Sequence, residues 1–152
     1  MTSTHSPTHH DAELVLRLFE LRREEKLRKA REWISAFYPS SGEDLYAAYM
    51  SGDSAFLRMV AGYWDMATAL VNLGTLNREL FLETGGEALF LWAKIGDHVP
   101  RFRELAGSTV FLANVERFVH ETPGAHERVT AMKEAQKRIR ALREAQKAAA
   151  PA

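Results

Sequence analysis

Apolar residues in this chain recur every three or four positions, broken by short polar or Gly/Pro segments, and no stretch alternates with period two between turn signals. The pattern predicts an all-α fold, an irregular bundle of about six helices with long amphipathic helices at both ends. Thr8 or Asp11 can cap a first helix running to about Phe37 and stopped by Pro39. Its apolar residues fall into two groups, Leu14 to Leu21 and the stripe Leu27, Ala30, Ile34, Phe37. Between them RREEK offers only solvated i,i+4 pairs: Glu24–Arg28, Glu25–Lys29 and Arg28–Glu32. With nothing apolar to bury there, the helix is expected to leave the globular body near Glu24 and carry the Leu14–Leu21 knob to another surface.

Ser40 or Ser41 starts a short helix, Glu43 to Met50, that Gly52 ends. Asp53 is a candidate N-cap for a central helix through about Leu73, with Gly74 closing it. Asn77 is placed to cap one turn, Arg78 to Leu82. Thr84-Gly-Gly-Glu87 has capping-box form ahead of ALFLWAKIG. Pro100 suits a helix start near Val99, and Gly107 ends that piece. A helix is predicted from Ser108 to His120, ended by Pro123-Gly124, and a last one from Ala125 to Ala149. The organisation is then a disordered 1–8, a single helical domain over 9–149 with its core in 27–120 and a C-terminal basic helix over 125–149, and a 150–152 tail.

Net charge is zero but unevenly spread, +1 over residues 1–36, −5 over 37–125 and +4 over 126–152. A basic tail on an acidic body can fold back on that body or meet a polyanion. There is no Cys, which removes disulfides, thiolate metal sites and cysteine nucleophiles and fits a reducing cytoplasm, the expected location. The opening MTSTHSPTHH lacks a signal peptide's apolar core, and the uncharged run Met66–Asn77, with two Asn, lies below the roughly 20 apolar residues of a membrane span.

Chemistry-bearing constellations are sparse. His9-His10-Asp11 is a terminal cluster, Glu116-x-x-x-His120 occurs once, and HExxH is absent, so no metal and no cofactor are expected. No nucleophile motif of the G-x-S-x-G or Ser-x-x-Lys kind appears, and Gly85-Gly86 has no phosphate-binding Lys beside it. No catalytic residue is assigned. Asp65 after Tyr63-Trp64, and Glu116 among phenylalanines, are acids in apolar surroundings. Arg103 is the expected partner of Glu116 in a structural ion pair, while Tyr63, Trp64, Asp65 and Trp92 mark a possible pocket. On the tail, Lys133, Lys137, Arg140, Arg143 and Lys147 could track phosphates, but no aromatic interleaves them.

Three blocks give the chain a further likeness: Leu18-Phe19-Glu20-Leu21-Arg22-Arg23 with Arg28, Ala30, Arg31 and Trp33; Tyr63-Trp64 through Gly74; and Trp92 with Phe102, Arg103 and Glu116. In these it resembles a bacterial family of small all-helical proteins of unknown function, over about residues 14 to 119. The resemblance implies the fold class and no mechanism. Many members carry a membrane helix before the first block, where this chain has a polar, His-containing segment.

The reading that results is a non-enzymatic protein–protein interaction module, homo-oligomeric or bound to another protein. The two end helices are expected to pair antiparallel with each other or across a two-fold axis; in the dimer case the seam sets Leu14, Leu18 and Leu21 of one chain on Val129, Met132 and Ile139 of the other. Two alternatives remain: weak nucleic-acid binding through the basic tail, and a small-ligand or enzyme pocket near Trp64 and Trp92.

Overall fold

The computed structural model describes residues 5–150, and among these the chain is all-helical. Nine α-helices follow in order: α1 (His9–Leu21), α2 (Glu25–Ala36), α3 (Gly42–Met50), α4 (Ser54–Asn72), α5 (Arg78–Thr84), α6 (Gly86–Ile95), α7 (Val99–Ala106), α8 (Ala113–Glu121) and α9 (Ala125–Ala149), with one 3-10 turn at Gly96–His98 before α7.

α4 is the central element because its apolar stripe is the broadest. It buries Leu57, Val60, Ala61, Trp64, Ala67, Thr68 and Val71, and packs on α2, α3, α5, α6 and α8. α9 lies on α6 and α8, and α3 lies on α7. Aromatic rings link the layers. Trp64 of α4 lies 6.5 Å from Phe81 of α5, and Phe81 meets Phe118 of α8 edge-on at 5.2 Å. Gly42 lets α3 and α7 come close, since a Cβ there would lie 2.5 Å from the Cβ of Arg101.

Several boundaries follow their local chemistry. Ser41 Oγ accepts from the Asp44 amide and starts α3; Asn77 Oδ1 accepts from the Leu80 amide and starts α5. Gly107, at φ 62°, closes α7 in the left-handed conformation. α9 spans the 25 residues its pattern predicts.

Several expectations need correction. The first helix is two helices. α1 ends at Leu21, the chain turns through Arg22–Glu24, and Glu24 restarts it by accepting from the Leu27 amide at 2.9 Å. Of the three ion pairs expected in that stretch only Glu25–Lys29 forms, at 2.9 Å. The polar gap is thus a turn that folds α1 back on the body, and Val15 and Leu18 join the common core rather than leaving it. That core also takes in Ala125 and Val129, beyond the expected 27–120.

Asp53 occupies the N-cap position of α4 but makes no capping hydrogen bond. The capping box at Thr84–Glu87 does not form: Thr84 Oγ1 donates to the Leu80 carbonyl, and Glu87 turns to two arginines described below. α8 starts at Ala113, five residues later than its pattern suggests, because Leu112 sits at φ 54° and breaks the helix before it.

Residues 1–4 of the expected disordered start, and 151–152 of the tail, lie outside the described residues. His5–Thr8 are held in place: the His5 carbonyl accepts from Asn77 Nδ2 at 2.5 Å, and Thr8 caps α1.

Candidate functional site

Three polar centres tie the helices together, and each uses a residue whose role depends on tertiary contact. The first is Glu87, at the start of α6. Its Oε1 accepts from Arg22 Nη1 at 2.7 Å and from Arg31 Nη2, and its Oε2 accepts from Arg31 Nε at 2.8 Å. Two guanidiniums from α2 and the turn before it therefore share one carboxylate, and the hydrogen bonds to Glu87 raise the pKa of Arg31. Tyr63 donates its hydroxyl to the Leu18 carbonyl beside this cluster; burial raises its pKa.

A cleft of about 250 Å³ opens next to the Arg31–Glu87 pair, lined by Ile34 and Ser35 of α2, Val60 and Trp64 of α4, and Phe90 and Leu91 of α6. A wider groove of about 900 Å³ runs between His5–Pro7, the α4–α5 loop, Arg78, and the α8 end at Arg117 and Glu121. Arg78 spans its wall, donating to Thr122 Oγ1 at 2.7 Å and to Asn72 Oδ1 at 3.3 Å; burial lowers its pKa.

The second centre is Lys94, only 7% exposed. Its ammonium donates to the carbonyls of Ser35 at 3.1 Å and Phe37 at 3.0 Å, and lies 3.5 Å from the Tyr38 ring centroid. A cation at the C-terminal end of α2 satisfies carbonyls that the helix leaves open. Arg140 of α9 covers the same ring at 4.9 Å.

Burial, with Arg143 and then Arg140 nearby, lowers the pKa of Lys94 to about 8 from its ordinary 10.5. The unfolded chain holds this proton up to about pH 10.5 and the folded chain only to about pH 8. Between those limits the unfolded state binds more protons, so stability rises with pH through this group. Urea midpoints from pH 7 to 10.5 are expected to rise more steeply for the native chain than for Lys94→Met. Parallel profiles would remove Lys94 from the account.

The third centre is Asp65 of α4. Its Oδ1 accepts from the amides of Asn114 at 2.8 Å and Val115 at 3.2 Å, and its Oδ2 accepts from Asn114 Nδ2 at 2.9 Å. Asp65 thereby caps α8 from across the bundle.

The proposed pocket residues are thus divided. Tyr63 and Trp64 touch and Trp64 lines the cleft, whereas Asp65 faces α8, and Trp92, buried in α6, is not among the cleft's lining residues. Arg103 Nη1 donates to Glu116 Oε2 at 2.8 Å, while its Nε and Nη2 both donate to the Phe111 carbonyl, so the guanidinium also holds the α7–α8 loop.

Of the expected seam, Leu18 and Val129 are in the chain's own core and Leu14 and Met132 pack on it; Leu21 and Ile139 are exposed. On the tail, Lys133 pairs with Asp97 at 2.7 Å, Lys137 with Glu134 at 3.0 Å and Arg140 with Glu144 at 3.0 Å. These pairs leave Arg143 and Lys147 without a carboxylate partner among the described residues, a thin footprint for a phosphate chain.

The sequence assigned Lys94 no role, and it carried no sign that Glu87 meets Arg22 and Arg31 or that Asp11 reaches Asn77. The only signal for Lys94 was a lone cation inside the apolar run ALFLWAKI.

Among the described residues no helix is long and apolar enough to cross a membrane, and no three His, Asp or Glu lie close enough to hold a metal. The fold and its polar centres define a small all-helical domain in which charged side chains join distant helices at several points. Residues 7–122 match the family described as Domain of unknown function (DUF4760), and the chain belongs to it. α9 lies outside the matched segment. No curated protein and no solved structure matches the chain.

Proposed function

We propose that the chain is a non-enzymatic interaction module that associates with a second copy of itself through the outer half of α9. The observation that carries this reading is one apolar stripe. Met132, Ala135, Ile139 and Leu142 follow each other at steps of three, four and three, the spacing of a two-helix seam. Gln146 and Ala149 carry the same spacing on, with the glutamine as the one polar position in the row. The stripe begins half-buried at Met132 and Ala135 and continues into Ile139, 46% exposed, and Leu142, 64% exposed.

The flanking charges favour an antiparallel second copy. In the register that sets Ile139 against the partner copy's Leu142, Gln146 falls opposite the small Ala135 and Ala149 opposite Met132. At the edges of that seam Arg138 meets an alanine (Ala145) and Arg143 meets a glutamine (Gln136). A parallel pair would instead set Arg138 against Arg143, two like charges. Two and a half heptads bury less than a standard interface, so a dissociation constant on the order of 10 µM is expected.

Light scattering behind size exclusion, from about 5 to 200 µM, is the test. The native chain is expected to shift from monomer to dimer, and Ile139→Glu with Leu142→Glu to remain a monomer with an unchanged melting curve. A native chain that stays monomeric throughout would refute self-association.

A further inference from the structure

The cleft between α2, α4 and α6 combines an apolar floor with an unbalanced charge at its edge. Ile34, Val60, Trp64 and Leu91 line it, each at most 4% exposed in the fold as a whole. Its volume, about 250 Å³, is below that of drug-sized pockets, so an occupant must be small. Arg31 and Glu87 line its edge, and Arg22, just outside the lining, shares the same carboxylate, which leaves the Arg22–Glu87–Arg31 cluster one positive charge in excess.

Arg31 uses Nε and Nη2 on Glu87, and its Nη1 makes no hydrogen bond among the described residues. A guanidinium edge beside an apolar floor fits a molecule with an apolar body and one carboxylate. A neutral molecule of the same shape would leave the excess charge unanswered. A cation would be repelled by it.

We propose that this cleft binds a small amphiphilic carboxylate, its apolar part on Val60, Trp64 and Leu91 and its carboxylate on Arg31. Glu87 is then an internal competitor: it occupies the guanidinium that the ligand needs. This makes the two polar residues act with opposite signs on binding, although both support the fold.

The experiment is calorimetric titration of the full chain with straight-chain carboxylates from butanoate to octanoate, with 1-octanol as the neutral control. Affinity is expected to rise about fourfold per methylene until the cleft is filled. Octanoate is expected to bind at least tenfold tighter than octanol. Glu87→Gln is expected to tighten octanoate binding about tenfold, and Arg31→Gln to weaken it about tenfold, at unchanged octanol affinity.

No saturable heat with any carboxylate up to about 10 mM, where a millimolar ligand would saturate, overturns the proposal. So does equal affinity for octanoate and octanol, or weakening by both substitutions. The chain-length series on the native chain decides the matter even if a variant fails to fold.

Discussion

Asp65→Ala is expected to destabilise the chain by about 3 kcal/mol, the sum of a lost helix cap and a lost charge-assisted contact. A helix leaves its first amides without partners inside it. In α8 the residue before the helix is Leu112, left-handed and apolar, so no local side chain can accept. The Ala113 amide finds the Val110 carbonyl at 3.1 Å and the Glu116 amide the Leu112 carbonyl at 3.0 Å, which leaves Asn114 and Val115 to Asp65. The same carboxylate holds the Asn114 side chain, and Asn72 donates to the Asn114 carbonyl at 2.9 Å.

Truncation therefore strands two amides at the point where Val115, Phe118 and Val119 enter the core. Asp65→Asn keeps one acceptor and should lose about half as much. Urea titration gives the magnitude, and amide exchange should show the loss first in the opening turn of α8. A loss below about 1 kcal/mol would mean that water replaces the cap without difficulty.

Asp11→Ala is expected to cost about 2–3 kcal/mol for a related reason, a buried donor left unpaired. Asp11 is 2% exposed. Its Oδ2 accepts from the amide and hydroxyl of Thr8 at 2.8 and 2.7 Å, and its Oδ1 from the Asn77 amide at 2.7 Å. One carboxylate thus closes the capping box of α1 and anchors the start of α5.

Hydrogen bonds from the Thr8 hydroxyl and from the Thr8 and Asn77 amides, with His5 nearby, hold its pKa below the ordinary 3.8 against the opposing effect of burial. The folded state releases this proton more readily than the unfolded one. The contribution is full above the ordinary value and is lost as pH falls through the lowered one. Acid titration of the native chain should accordingly fall more steeply below pH 3.8 than that of Asp11→Asn. Coincident curves would assign the acid sensitivity to other carboxylates.

Asp11 and Asp65 show why the sequence was only partly legible. Asp11 reads locally as a cap residue, and it is in one: Thr8 and Asp11 form the box. Its bond to Asn77, 66 positions away, has no local signature. Asp65 reads as an acid beside aromatics and so as a pocket candidate. Its place on α4, directly after Trp64, gave no hint that α8 would begin uncapped opposite it. The RREEK segment misled for the same reason. Its i,i+4 charges suit a continuous helix, but Arg22 and Arg31 both reach Glu87, and that is possible only if the chain turns between α1 and α2.

What the sequence by itself determined is the all-helical class and the elements whose ends carry their own chemistry. α3 begins at Ser41, α5 at Asn77, α7 ends at Gly107 and α9 follows Gly124, because caps and left-handed glycines act within a few residues. Only the tertiary structure decided which apolar residues are core and which remain exposed, and which charges meet. Leu18 and Leu21 have the same hydrophobic character, yet one is 7% exposed and the other 43%. Periodicity says which face of a helix is apolar; the neighbour that covers it, and the carboxylate that meets a distant arginine, are set by packing between segments far apart in the chain.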